Sequence, residues 1–247
     1  MKIIISPAKK MNVNTDLFPI KGMPVFIEEA GYLAAELRKK SYAELKKLWQ
    51  CNDRLTALNM ERVNRMNPCT ARTPALFSYE GLQYQHVAPA VLEETDLNYL
   101  QKHLRILSGF YGILRPFDGV TPYRLEMQAR LITENGRNLY EFWGQKLFDE
   151  LTVKNRVIIN LASKEYSRCI EPYITDEISF ITCVFGEYKD GNVIEKGTRA
   201  KMARGEMVRW MARQKTNDPV QMKHFSSLDF RYIEDLSLKN KYVFINN

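Results

Sequence analysis

The stretch Arg156-Val-Ile-Ile-Asn-Leu161 decides the fold, because four of its six residues are apolar and leave no solvated face. A strand of this kind is typical of the middle of a sheet that is covered on both faces. Residues 138–151 lead into it with an amphipathic pattern, in which Asn138 and Glu141 occupy the cap and third helical positions. We therefore predict a helix over residues 138–151 and a central strand over residues 156–161.

Further strands and helices alternate along the chain on both sides of this strand. The segments with strand patterns are residues 2–6, 75–79, 177–188, 192–195 and 242–246. The segments with helical spacing are residues 28–40, 41–50, 53–64, 96–108 and 196–215. A polar loop through Pro24 follows the first strand, and Asp190-Gly191 is typical of a tight hairpin turn. We expect an α/β fold, or alternatively a mixed α+β fold, as one compact domain over residues 1–247 with a central mixed sheet and surrounding helices.

Composition restricts where the protein works. The 247 residues are 45% hydrophobic and 26% charged, as in ordinary globular proteins. No apolar run approaches the roughly 20 residues that cross a bilayer, and the run after Lys2 is too short for a signal peptide. The four cysteines lie far apart without a CxxC pair, and the three histidines are equally scattered. We therefore predict a cytoplasmic protein with reduced thiols, without membrane association, metal site or cofactor.

The net charge of +7 favours polyanionic partners. The basic charge is concentrated in residues 196–215, which contain a single acidic residue, Glu206. On a helix, Ala203, Met207, Trp210 and Met211 face the core and leave basic side chains outside. Lys201 and Arg204 are then candidates for contacts with phosphates. The alternative is an ordinary solvated helix surface.

A second candidate for phosphate binding follows the predicted helix 96–108. Its sequence continues as Gly109-Phe-Tyr-Gly112-Ile-Leu-Arg115-Pro116, which is similar to a helix-hairpin-helix element. Backbone amides at Gly109 and Gly112 can approach a phosphate closely, and Arg105 and Arg115 flank the turn. Pro116 restricts a second helix, so the alternative is a turn that serves packing alone.

Polar residues also follow two predicted strands, where ligands collect in open α/β sheets. Ser6 and Lys9 come after the first strand, and Asn160, Ser163 and Tyr166 come at or after the central one. We expect these five residues to line a ligand pocket. The alternative is that they act as helix caps and internal contacts.

A short polar segment lies between these two groups. In Pro122-Tyr123-Arg124-Leu125-Glu126-Met127, Arg124 and Glu126 are two residues apart and lie on one side of an extended chain. We add Tyr123 to the expected pocket and Arg124 to the expected phosphate contacts. A structural salt bridge between Arg124 and Glu126 is the simpler account of that pair.

Several of these motifs occur together in one order and spacing that resembles the YaaA family of bacterial peroxide-stress proteins. The motifs that carry the resemblance span the chain and are Ser6-Pro-Ala-Lys9, Leu104-Arg-Ile-Leu-Ser-Gly-Phe-Tyr-Gly-Ile-Leu-Arg-Pro116, Pro122-Tyr-Arg-Leu-Glu-Met127, Leu139-Tyr-Glu-Phe-Trp-Gly144, Val157-Ile-Ile-Asn-Leu-Ala-Ser163 with Glu165-Tyr166, and Lys201-Met-Ala-Arg-Gly205. The resemblance implies a compact α/β protein with a helix-hairpin-helix-like element and a basic cleft. It also implies that the protein binds DNA and helps the cell withstand hydrogen peroxide by keeping free iron low.

Two functions compete on this basis. In the first, the protein binds DNA without sequence preference through Arg105, Arg115, Arg124, Lys201, Arg204 and the turn from Gly109 to Gly112, and protection against peroxide is indirect. In the second, it is an enzyme that acts on a nucleobase, nucleotide or nucleic-acid base, with Glu126 or Glu165 in acid–base chemistry and a small nucleotide-like ligand in the pocket. The second requires Ser6, Lys9, Glu126 and Glu165 to lie close together. A pure interaction protein is a third class, for which no heptad pattern specifies a partner.

Overall fold

Strands that are far apart in sequence meet in one sheet. The computed structural model describes residues 1–13, 18–71 and 73–246, so residues 14–17 of the predicted loop lie outside it. The strands are β1 (Lys2–Ile5), β2 (Lys10–Met11), β3 (Thr73–Pro74), β4 (Tyr79–Glu80), β5 (Leu104–Ser108), β6 (Gly112–Leu114), β7 (Gly119–Val120), β8 (Val157–Leu161), β9 (Ser179–Lys189), β10 (Asn192–Ile194), β11 (Phe230–Tyr232) and β12 (Lys241–Asn246).

Helices occupy most of the connections between these strands. They are α1 (Ile27–Arg38), α2 (Tyr42–Trp49), α3 (Asp53–Arg65), α4 (Ala75–Ser78), α5 (Leu82–Val87), α6 (Glu94–His103), α7 (Leu139–Trp143), α8 (Lys146–Thr152), α9 (Lys164–Ser167) and α10 (Gly197–Gln214). Ser41 caps α2 in a capping box with Glu44, as its sequence predicts. Within the described residues, none of the helices has the length and apolar character needed to span a bilayer.

The main sheet has the order β11-β12-β9-β8-β1-β5-β6, with β10 paired to β9. The five strands from β12 to β5 are parallel, and β11, β6 and β10 pair antiparallel to their neighbours. Numbered along the chain, the parallel strands lie in the order 2-1-3-4-5. In this order the chain leaves β1 toward one side and later returns to its other side, which opens a crevice at the carboxyl ends of β1 and β8.

The core lies around β1 and its neighbours. Ile3, Ile4 and Ile5 are completely buried, and β8 is buried from Ile158 to Leu161. These apolar runs face helices or loops on both sides, which confirms the predicted central strand at residues 156–161. The fold is therefore mixed α/β, with a central mixed sheet and surrounding helices in a single compact domain, as predicted.

The predicted helix over residues 96–108 is wrong at its second half. Helix α6 ends at His103, and Leu104–Ser108 is strand β5, hydrogen bonded to β1 and β6. All five residues of β5 are buried, so pairing between two strands decides the backbone here, although the leucines also fit a helical spacing. A strand therefore leads into the turn at Gly109, where the predicted helix-hairpin-helix element requires a helix. That element does not form.

Two shorter predictions also need correction. Residues 75–79 are helix α4 followed by the first residue of β4, whereas a strand was predicted; Pro74 precedes the helix in extended conformation. The helix predicted over residues 138–151 is divided into α7 and α8, because Gly144 takes a φ of +48° that interrupts helical geometry. Asn138 does accept a hydrogen bond from the Glu141 amide, as expected of a cap. The hairpin β9–β10, helix α10 and strand β12 are confirmed.

Candidate functional site

Two serines connect the carboxyl ends of β1 and β8 at the crevice. The Ser6 hydroxyl accepts a hydrogen bond from the Ser163 amide at 2.8 Å and donates to the Ser163 hydroxyl at 3.1 Å. The Tyr84 hydroxyl donates to the Ser6 carbonyl oxygen at 2.9 Å. Ser163 precedes α9 but its side chain makes no capping bond, so its hydroxyl is committed to Ser6.

One wall of the crevice is the irregular segment of residues 121–128. Gly109 lies so close to it that a Cβ atom would approach the Leu125 carbonyl oxygen to 2.6 Å, which only glycine avoids. The Tyr123 hydroxyl is hydrogen bonded to the Ser108 hydroxyl at 2.7 Å and to the Tyr79 hydroxyl at 2.8 Å. These buried contacts fix the segment that carries Arg124 and Glu126.

The opposite wall is helix α10, which packs closely against α5. A Cβ atom on Gly205 would lie 2.1 Å from the Gln83 carbonyl oxygen, so the two helices approach at a distance that needs glycine. Ala203, Met207 and Met211 face the core as predicted, while Trp210 is only partly buried. This packing directs Lys201 and Arg204 toward the crevice.

These elements enclose a cavity of about 600 Å³. Six basic side chains and three carboxylates line it, so the cavity is cationic. The lining comprises Ser6, Pro7, Ala8, Lys9, Lys10, Glu80, Gly81, Leu82, Gln83, Tyr84, Tyr123, Arg124, Leu125, Glu126, Ser163, Lys164, Glu165, Tyr166, Lys201 and Arg204. A volume of this size is typical of pockets for small ligands.

The two arginines of this cavity are ion-paired, Arg124 with Glu126 and Arg204 with Glu195, but the Nε atom of each lacks a hydrogen-bond partner. Of five buried side-chain polar atoms without a hydrogen bond in the described residues, two are Nε of Arg124 and Nε of Arg204, and a third is Oε1 of Glu126. Arg124 Nη2 lies 2.8 Å from Glu126 Oε1, and Lys9 Nζ lies 3.3 Å from it, but neither approach has hydrogen-bond alignment. Buried donors without partners cost folding free energy, and a bound ligand is one way to satisfy them.

Glu165 lies beside this ion-paired cluster. Its Oε1 accepts a hydrogen bond from the Gln128 amide at 3.3 Å, which places the carboxyl group against the segment that contains Glu126. Burial is the main cause that raises the pKa of Glu165, and the nearby negative charge of Glu126 raises it further, while Lys9 acts in the opposite direction. The site therefore combines one carboxyl group that is ion-paired with Arg124 and Lys9 and one carboxyl group whose pKa is raised by burial.

Most of the predicted site residues meet in this cavity. Ser6, Lys9, Glu126 and Glu165 all line it, which satisfies the distance requirement set by the enzyme hypothesis. The predicted salt bridge between Arg124 and Glu126 is confirmed and is part of the wall. The other predicted residues in the lining are Tyr123, Ser163, Tyr166, Lys201 and Arg204.

The remaining predicted residues lie outside the lining. Asn160 is buried at the end of β8, where its side chain accepts from the Ala162 amide and donates to the Thr182 hydroxyl, so it shapes the turn toward Ser163. Arg105 is 9% exposed and donates to the carbonyl oxygen of Leu104, and Arg115 is paired with Asp118.

The turn between β5 and β6 is also part of the core. Gly109 supports the wall segment, and Gly112 has a φ of +70° and lies against Trp143 and Phe26. Residues 104–114 are buried throughout, so the backbone of this turn is covered by protein. The correction to the helix-hairpin-helix prediction thus extends to the role of these two glycines, which serve packing.

Sequence reasoning missed several lining residues. Tyr84 and Gln83 come from the short helix α5, and Lys10 pairs with Glu80 across the two-stranded sheet β2–β4. Neither the spacing nor the composition around residues 80–84 distinguishes them from an ordinary surface turn. Among the described residues, no three His, Cys, Asp or Glu side chains come together as a metal-binding group.

Comparison with known proteins places these features in a family. The family profile described as peroxide stress protein YaaA matches residues 1–236. A UPF0246 protein of Lachnoclostridium phytofermentans is 54% identical over 99% of this chain and 96% of its own length. UPF0246 proteins of Desulfitobacterium hafniense and Pediococcus pentosaceus are 53% and 48% identical, over 99% and 100% of this chain and 98% of their own lengths.

Proposed function

This chain belongs to the YaaA family of peroxide stress proteins, and we propose that it protects the cell during peroxide stress by binding DNA at the cavity between β1, β8 and α10. Binding is independent of sequence and limits oxidative damage indirectly, by lowering free iron in the cytoplasm. The family description supports the stress role, and the chemistry of the cavity supports the choice of ligand.

The observation that carries the proposal is the pair of unpartnered arginine nitrogens in a cationic cavity. Arg124 and Arg204 are each about nine-tenths buried, and their Nε atoms have no hydrogen-bond acceptor. A phosphate group offers acceptor oxygens in the geometry that guanidinium groups prefer. Lys201 lies three residues before Arg204 on α10, hence on the same face, and adds a flexible positive charge.

The size of the cavity limits which form of DNA it accepts. A volume of about 600 Å³ takes a single nucleotide and is far too small for a segment of duplex. Tyr84, Tyr123 and Tyr166 contribute aromatic surface to the lining, as in sites where bases stack. The proposed ligand is therefore one nucleotide unit of a single strand, or a nucleotide turned out of a duplex.

The test replaces the two phosphate-binding side chains on α10. We expect the double substitution Lys201→Ala, Arg204→Ala to weaken binding of a single-stranded oligodeoxynucleotide at least tenfold, because each contact with a phosphate is charge-assisted. Fluorescence anisotropy at fixed salt measures this affinity. In a strain that lacks the gene, the same variant should fail to restore survival in hydrogen peroxide and should leave free iron, measured by electron paramagnetic resonance, at the level of the deletion strain.

A matched control removes the same charge elsewhere. Arg54 and Lys239 are exposed and do not line the cavity, so Arg54→Ala, Lys239→Ala lowers the net charge by the same two units. This control should bind and complement as the unmodified protein does. Equal loss of binding in both double variants would mean that net charge and not the cavity attracts DNA, and would contradict the proposal.

A second function is favoured by a separate observation. Glu126 and Glu165 approach each other in the same cavity, and their environments differ in the way that acid–base chemistry requires. A site that only bound a polyanion would gain nothing from two carboxyl groups, since they repel phosphate. The second candidate is therefore an enzyme that acts on the base of the bound nucleotide.

A further inference from the structure

The basic side chains of the cavity differ in whether a carboxylate already pairs with them. In the described residues, Lys201 on α10 is the lining cation without a carboxylate at salt-bridge distance, whereas the other five are ion-paired: Lys9 and Arg124 with Glu126, Lys10 with Glu80, Lys164 with Glu171, and Arg204 with Glu195. A nucleotide that enters the cavity places its phosphate at Lys201 and the unpartnered Nε of Arg204, so the uncharged sugar and base lie toward Glu126 and Glu165.

The two carboxyl groups differ in their partners. The Glu126 side chain is 12% exposed, and its Oε1 lies 2.8 Å from Arg124 Nη2 and 3.3 Å from Lys9 Nζ. Glu165 has a backbone amide of Gln128 as its hydrogen-bonding neighbour and no ion pair at salt-bridge distance in the described residues. Two carboxyl groups that line one cavity, one of them ion-paired and the other not, match the pair of carboxyl groups with different environments that cleaves a glycosidic bond.

We propose that Glu126 and Glu165 hydrolyse the bond between C1′ and the base nitrogen of a nucleoside 5′-monophosphate unit held in the cavity. The inference rests on the proposed function, because it requires the phosphate to bind at Lys201 and Arg204. The unit is either a free nucleotide or one nucleotide of a single DNA strand, and the two share the chemistry of sugar, base and 5′-phosphate.

The reaction uses water as its only co-reactant. The bond between C1′ and nitrogen breaks with its electron pair going to the base, and Glu165 transfers its proton to that nitrogen. The water oxygen bonds to C1′, and the proton that water loses goes to Glu126, which before this step stabilises the positive charge that develops on the sugar. The products are the free base and a sugar phosphate with a hydroxyl at C1′. Proton exchange with solvent then restores both carboxyl groups, and nothing is oxidised or reduced.

The experiment measures binding and turnover separately. The substrates are the four natural 2′-deoxynucleoside 5′-monophosphates and single-stranded DNA treated with hydrogen peroxide. Release of free base is followed by liquid chromatography and mass spectrometry, and incorporation of ¹⁸O from labelled water at C1′ identifies hydrolysis. We expect release from at least one substrate, and the substrate that reacts distinguishes free nucleotides from DNA.

Conservative variants assign the roles. Glu165→Gln and Glu126→Gln should each reduce base release by about 10²- to 10⁴-fold, the usual contribution of a positioned acid or base, while binding of the same substrate remains. The control Glu177→Gln changes an exposed carboxylate that does not line the cavity and should leave release unchanged. Circular dichroism checks that all three variants fold.

Each outcome decides between the two proposals. Binding that depends on Lys201 and Arg204 without release of base from any substrate would overturn the hydrolase and leave the binding function standing. Absence of binding to nucleotides and DNA alike would overturn both. Release that persists in Glu126→Gln and Glu165→Gln would show that other groups perform the chemistry and would overturn the assignment.

Discussion

Glu165 is partly buried in a cavity where a second carboxyl group, Glu126, is ion-paired with Arg124 and Lys9. The charged form of Glu165 loses hydration and faces a like charge, and both effects disfavour its ionisation. Ionisation of such a group therefore lowers the stability of the folded chain. Side chains of this kind are typical of functional sites.

Replacement of Glu165 tests this through stability. Folding raises the pKa of Glu165, so ionisation of this group lowers the free energy of unfolding. The loss of stability is absent below the pKa of Glu165 in the unfolded chain, and it develops as the pH rises through the folded-state pKa. Glu165→Gln should therefore increase the free energy of unfolding at pH 8, within the range of about 0.5–2 kcal/mol that such substitutions reach. Urea denaturation at pH 8 and pH 4 measures it.

The pH dependence distinguishes this from a simple gain in packing. The advantage of Glu165→Gln should shrink as the pH falls toward 4, because Glu165 then takes up its proton in the folded and the unfolded state alike. An advantage that is equal at both pH values would mean that burial of charge at Glu165 is not the cause.

At this scale the sequence predicted which polar residues come together at the crevice. Ser6, Lys9, Ser163 and Glu165 follow apolar strands, and parallel strands end at one edge of a sheet, so their convergence follows from the strand pattern. Tyr84 escaped prediction because its contact with Ser6 depends on how α5 packs, which no local pattern encodes.

Helix α10 positions Lys201 and Arg204 by its distance from α5. Gly205 sets that distance, since any side chain would meet the Gln83 carbonyl oxygen. Gln83 in turn donates to the Leu161 carbonyl oxygen at the end of β8. One glycine therefore links the basic helix to the end of the central strand.

Gly205→Ala should disturb the protein and the pocket together. We expect a loss of about 1–3 kcal/mol in the free energy of unfolding, as for overpacking elsewhere in protein cores, and weaker binding of nucleotides because Lys201 and Arg204 move outward. Thermal denaturation and fluorescence anisotropy measure the two effects. Gly197→Ala in the same helix meets open space and should change neither. If Gly205→Ala retains wild-type affinity, the spacing of the helices does not position the site.

The elements that the sequence mispredicted share a physical cause. In Leu104–Ser108 the leucines repeat with helical spacing, yet the segment is buried between β1 and β6, and burial on both faces removes the polar positions that would reveal a strand. In contrast, α2 and the β9–β10 hairpin carry their own cap and turn residues and were predicted correctly. Local chemistry predicts ends and turns, while tertiary pairing decides the segment between them.

Over the whole molecule, the proposed function has two contributions: the net charge of +7 would attract nucleic acid from a distance, and the cavity would hold one nucleotide. The two contributions differ in their response to salt. Long-range attraction is screened within about 10 Å at 0.1 M ionic strength, whereas contacts with phosphates release counterions and give a linear dependence of log affinity on log salt.

The slope of that dependence counts the contacts. For single-stranded DNA we expect Lys201→Ala, Arg204→Ala to reduce the slope by about 0.7 for each phosphate contact removed, whereas the Arg54→Ala, Lys239→Ala control keeps it. Anisotropy titrations between low and moderate salt measure the slope. Fully paired duplex without free ends should bind more weakly than single strands, and equal affinity for both would contradict a pocket for one nucleotide.

The pairing of β1 has a consequence for how the chain folds during synthesis. Its partner strands are made much later in the chain. Ile3 of β1 lies opposite Leu104 of β5, and Lys2 lies opposite Ile158 of β8. The Ser6–Ser163 hydrogen bond joins residues that are 157 positions apart. Long-range parallel pairing of this kind raises contact order and slows folding. On the ribosome, β1 is made first and remains without its second neighbour until β8 has been made. The cavity also needs α9 and α10, which follow β8 in the chain, so a nascent chain has no cavity until these helices have packed against the closed sheet. Binding of the proposed ligand would therefore report that the whole fold is in place.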